Sequence, residues 1–200
     1  MKHLFLLVLA TPLLASTIVY SNFGPSQSYA ALGINVGNGT VFGSGFSPTA
    51  TGILESISLP LFTRLDTTAV SNLTVGISEG IPNAISFLEL WTVSASSLST
   101  ASITTLTLQS LVHPILASGT LYYLTIFTLG DEVDGTFSWA KNNMGDAKGV
   151  TSFNHGNTFS SPGAASGAFE IQANVDSVPE PSTLLLTASA AGVLWWRRRR

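Results

Sequence analysis

Between Tyr20 and Asp176 the chain shows no apolar repeat of helical period, whereas short runs of alternating apolar and polar residues recur along it. A repeat of two is that of a β-strand, whose side chains point to opposite faces in turn. Ile53, Glu55, Ile57, Leu59 and Leu61 alternate with polar or small neighbours, and Leu73, Val75 and Ile77 do the same. Residues 87–93, 103–108, 121–129, 136–140 and 168–175 carry further runs, separated by Gly, Pro, Ser and Asn. Eight or nine short strands without intervening helices exclude a parallel α/β fold and predict an all-β, antiparallel jelly-roll-like β-sandwich. Residues 121–127 are apolar on both faces, which places that strand in mid-sheet. Residues 33–45, rich in Gly and Asn, read as a loop, and residues 65–71 fit no pattern.

The charges are few and unevenly placed. Of eight basic residues, Lys2 opens the chain and Arg197, Arg198, Arg199 and Arg200 close it, which leaves Arg64, Lys141 and Lys148 against eleven acidic residues, all upstream of Pro181. That interior, at 3 − 11 = −8, is an unfit partner for nucleic acid. Cysteine is absent, so disulfides, thiol nucleophiles and thiolate metal sites do not arise, and stability rests on packing.

Both ends differ from the middle. Lys2 and His3 lead into an apolar run from Leu4 to Ala10, followed by small residues at Ala15, Ser16 and Thr17. A basic start, a short apolar centre and a small-residue exit predict a secretory signal helix over residues 1–17, with cleavage near 15–17. At the other end, Val178-Pro179-Glu180-Pro181-Ser182-Thr183 precedes an apolar run from Leu184 to Trp196 and then the four arginines. The prolines block helix up to 181, and Ser182 or Thr183 can cap one that begins just beyond. Its 13 residues would extend about 20 Å, short for a hydrocarbon core of about 30 Å. Trp195 and Trp196 suit the interfacial layer, and the arginines fix that end on the cytoplasmic side, which leaves the body outside. The chain thus divides into a leader (1–17), a β-sandwich body (18–176) and a tail (177–200) whose short hydrophobic helix spans a membrane.

Pro179-Glu180-Pro181, the apolar run and the terminal arginines together resemble the PEP-CTERM sorting signal of exopolysaccharide-producing bacteria. The resemblance implies processing by an exosortase, a membrane protease-transpeptidase that removes the tail as the protein passes to the cell surface or the extracellular medium. An ordinary tail anchor that stays attached is the alternative. The body is similar to the choice-of-anchor β-sandwich domains, type R, that accompany this tail. Asn22-Phe23-Gly24, Phe46-Ser47-Pro48, Gly52-Ile53-Leu54 and His113-Pro114-Ile115-Leu116 carry that likeness, with Gly119, Tyr122, Tyr123 and Trp139. What it implies is a non-catalytic surface domain without a cofactor.

Candidate chemistry is sparse. Three histidines, His3, His113 and His155, show no zinc-ligand spacing, and Gly43-Ser44-Gly45 lacks the spacing of a nucleophile elbow. A glycosidase pair would have to come from Glu55, Glu79, Glu89, Asp131, Glu132 and Asp134, and nothing selects two of them. Asp131-Glu132-Val133-Asp134-Gly135 lacks the downstream glutamate of a calcium loop and reads as a solvated turn, so no metal is expected. Trp91, Tyr122, Tyr123 and Trp139 admit two readings: stacking on the rings of an extracellular polysaccharide, or core packing.

Overall fold

The structure, a computed structural model, describes residues 15–37, 39–63, 72–81, 86–128 and 137–175. Residues 1–14 of the expected signal helix, the tail with its hydrophobic helix, and Asp131, Glu132 and Asp134 lie outside the described residues, while residues 15–17 of that expected helix are instead strand, the start of β1 (Ala15–Ser21). Those described are all-β, with two one-turn 3-10 helices, and form two antiparallel sheets, one of them curled. Ser16–Asn174 is one compact unit.

The curled sheet is built on β4 (Gly52–Thr63), a strand long enough to take four partners. One edge pairs with β13 (Glu170–Val175) over residues 53–58 and then with β10 (Phe137–Ala140) over residues 61–63. Pro60, which has no N–H to give a ladder, falls in the gap between these two. The opposite edge pairs with β7 (Thr104–Gln109) and β8 (Ile115–Leu116). Beyond them, β1 (Ala15–Ser21) lies beside β13, and β2 (Gly33–Val36) beside β10. The second sheet runs β12 (Ser160–Ala164), β11 (Gly149–Ser152), β3 (Val41–Phe46), β9 (Tyr122–Thr128), β5 (Asn72–Glu79) and β6 (Phe87–Ser94). As its two-faced apolar run predicts, β9 sits in mid-sheet between β3 and β5, buried along nearly its whole length.

Two sequence expectations need correction. Residues 33–45 are not a loop: they hold β2 and β3, and every residue of β3 is buried. Its glycines are positions of close approach, for a Cβ on Gly45 would stand 3.2 Å from Cε1 of Tyr123, and one on Gly43 3.5 Å from Cδ1 of the same ring. The alternation read along β4 also slips. Gln172 pairs with Ser56 and Ala173 with Leu54, which leaves Glu55 as the extra residue of a β-bulge. Unbroken alternation would set Glu55 on the same face as Ile57, whereas the bulge turns Leu54 and Ile57 inward and leaves Ile53 38% exposed. The desolvation of a carboxylate is thereby avoided.

Side chains of the two sheets meet in an aromatic cluster. The Phe42 ring of β3 contacts the Trp139 ring of β10 edge-on at 5.9 Å, and Phe46 meets Phe169 edge-on at 5.5 Å. Tyr20 of β1 joins both Phe46 and Phe169. A polar tie crosses as well, from the Gly167 amide to the Ser44 hydroxyl at 2.8 Å.

Candidate functional site

The four aromatic candidates are interior residues. Trp139 is fully buried and its indole N–H donates to the Ala168 carbonyl at 2.7 Å. Trp91, on β6, donates to the Gln109 carbonyl at 2.8 Å and is 7% exposed. Tyr122 packs on Phe46, and its hydroxyl accepts from the Ala117 amide at 3.0 Å. Tyr123 lies over Gly43 and Gly45 and is 6% exposed. A sugar stacks on an open ring face, and none of these rings offers one. Of the two readings, core packing describes where they sit.

Of the histidines and carboxylates within the described residues, Glu55, Glu89, His113 and His155 are bonded into the framework, while Glu79 ends β5 exposed. Glu89, 4% exposed, is turned from β6 towards the loop before β8. Its carboxylate accepts from the Ser110 hydroxyl at 2.6 Å, the Leu111 amide at 2.5 Å and the Val112 amide at 3.2 Å. The Ser110 hydroxyl in turn accepts from the His113 amide at 2.9 Å. His113 has a left-handed backbone (φ 54°), and its Nδ1 lies 3.1 Å from the Leu54 carbonyl and 3.8 Å from Glu55 Oε1. Glu55 accepts from the Asn174 amide group. The His155 ring packs on Gly39, where a Cβ would come within 2.8 Å of it, and the His155 amide donates to the Gly39 carbonyl. Among the described residues no three of His, Asp and Glu gather as a metal ligand set, and no helix is long and apolar enough to cross a membrane.

Several of the short motifs quoted from the sequence hold turns and strand ends. The Asn22 side chain imitates a backbone pair, donating to the Gly167 carbonyl at 2.9 Å and accepting from the Phe169 amide at 2.7 Å. Gly119 takes a left-handed conformation (φ 75°) and donates to the Pro48 carbonyl at 3.0 Å. The Leu54 amide donates to the Pro114 carbonyl at 2.9 Å, which joins two of the quoted motifs.

Other organising residues went unread in the sequence. Asn142 is buried; its Nδ2 donates to the carbonyls of Asp146 and Ser166, and its Oδ1 accepts from the amides of Met144 and Asp146. Tyr20 donates to Asp146 at 2.8 Å, and burial, reinforced by that carboxylate, pushes the phenol's pKa far above its usual value. Their type and spacing gave no sign: the Tyr20 bond joins segments far apart in the chain, and Asn142 combines turn-like local bonds with one to Ser166. Lys141 lines an open groove, and its scarcity was a usable signal, since the interior has only three basic residues.

Among known proteins, no family model matches the chain and no curated protein is similar to it.

Proposed function

We propose that this protein is exported, sorted by an exosortase-type protease, and retained at the bacterial cell surface or in the extracellular matrix as a non-catalytic domain. The observation that carries this reading is the tail: Pro179-Glu180-Pro181, an apolar run and Arg197 to Arg200, opposite a leader-like start at Met1. The finer fold proposed for the body is a jelly-roll-like β-sandwich. Two facing antiparallel sheets and a shared aromatic cluster support it. The engagement of Glu89, Glu55, His113 and His155 in framework bonds supports a body whose contribution is a stable surface rather than bond chemistry. Localisation is then the mechanism: the hydrophobic tail holds the chain at the membrane until it is cut, and the folded body passes on.

Intact mass tests it on protein recovered from the native envelope and medium, beside a variant with Pro179, Glu180 and Pro181 all changed to alanine. Wild type is expected to lack both the leader and everything beyond about residue 180. The variant is expected to stay uncleaved in the membrane. If both keep Trp195, Trp196 and the arginines, the chain is a plain tail-anchored protein and the sorting reading falls.

A further inference from the structure

Residues of β2, β3 and β11, with Lys141 and Ala165, line an open groove of about 310 Å³. That is the lower end of the range for small-molecule sites, roughly 300–1,000 Å³. Its lining includes the part-exposed Ile34, with Thr151 and Lys141 beside it, over the buried Phe42. Lys141 and Lys148 are the only Lys or Arg among the described residues, and neither has an ion pair there, although five carboxylates are described. In an acid-rich body, a lysine left unpaired beside a groove has its charge free for a partner from outside.

Thr151 adds a second donor: its backbone carbonyl accepts from Ser160, while its hydroxyl has no partner among the described residues. An ammonium and a hydroxyl, each able to donate, therefore line one groove with no carboxylate among its lining residues. Such a pair suits a negatively charged ligand rich in acceptors, with an apolar face to lie on the part-exposed Ile34.

We propose that the groove binds one unit of an acidic saccharide, a sugar carrying a carboxylate, with Lys141 on the carboxylate and Thr151 on a ring oxygen. The choice of a saccharide over other hydroxylated anions rests on the surface role proposed above. The groove's openness admits a unit within a chain as well as a free sugar acid.

Calorimetric titration of the full chain with galacturonate, oligogalacturonate and galactose tests this. Galacturonate or its oligomer is expected to bind and galactose not. Lys141→Gln is expected to weaken binding at least about tenfold, the size of one charge-assisted contact, at an unchanged melting temperature. Lys141→Arg should keep most of the affinity. Should Lys141→Gln fail to fold, Thr151→Val is expected to weaken binding several-fold. Binding by the oligomer at least as tight as by the monomer identifies a chain as the source, and binding by the monomer alone identifies the free sugar acid. Absence of uronate binding by wild type, equal binding by Lys141→Gln, or equal binding of galactose overturns the proposal. The mass measurement is independent: a cleaved tail without uronate binding removes the groove alone, and an intact tail with it removes sorting alone.

Discussion

Gly167 is required by space. A Cβ there would stand 2.2 Å from Cε2 and 2.3 Å from Cδ2 of Trp139, a ring that is fully buried and bonded to the Ala168 carbonyl. Gly167→Ala is therefore expected to destabilise the protein by about 3 kcal/mol or more, at the upper end of overpacking. In urea denaturation, adding Trp139→Phe should recover part of that loss. Simple additivity of the two changes would show that the contact does not limit stability. This pair also shows what was legible at the level of single residues. Trp139 could be singled out from sequence by type, but its burial could not, because all four residues of β10 (Phe-Ser-Trp-Ala) are buried and alternation does not say that both faces are covered. Asn22 and Asn142 were illegible as organisers for a different reason: an asparagine that imitates backbone looks in sequence like any turn asparagine.

Elements were legible wherever hydrophobic alternation persisted. β5, β6, β7, β9, β10 and β13 fall on the runs that predict them. β2 and β3 were lost because Gly33, Gly43 and Gly45 read as turn signals, whereas the space left at Gly43 and Gly45 is taken up by a neighbouring strand's Tyr123. The loop before β8 is an element held from outside itself. Leu111 and Val112 are 82% and 64% exposed, yet their amides are fixed by the buried carboxylate of Glu89. Glu89→Gln replaces one acceptor oxygen with a donor that faces other donors, at an expected cost of about 2 kcal/mol. Hydrogen exchange should show the amides of Leu111, Val112 and His113 losing protection first. Unchanged protection there would mean that the loop stands without the carboxylate.

For the molecule as a whole, the bond from Tyr20 to Asp146 ties the first strand to the loop after β10 and sets an alkaline limit. Because burial and Asp146 raise the folded pKa of Tyr20, the folded state holds that proton more tightly than the unfolded chain does. Its contribution to stability is complete below the unfolded value of about 10 and is lost as the pH rises above it, by up to about 1.4 kcal/mol per pH unit. Unfolding free energies measured between about pH 8 and 11 should fall for wild type and flatten for Tyr20→Phe, which cannot ionise there. Equal slopes would place the alkaline sensitivity elsewhere. The overall architecture, two antiparallel sheets, was legible because it needs only strand count and the absence of helical period. The four-partner role of β4 was not, since nothing local to residues 52–63 names its partners. That arrangement also governs timing. Among the described residues the only sheet neighbour of β1 is β13, the last described strand, which lies between β1 and β4. A chain threaded through a membrane from its N-terminus would carry its first strand across long before the mate for that strand arrived. In such a passage the curled sheet could not close until its last described strand had emerged, so the thread would stay slack, and transportable, for as long as transport lasted.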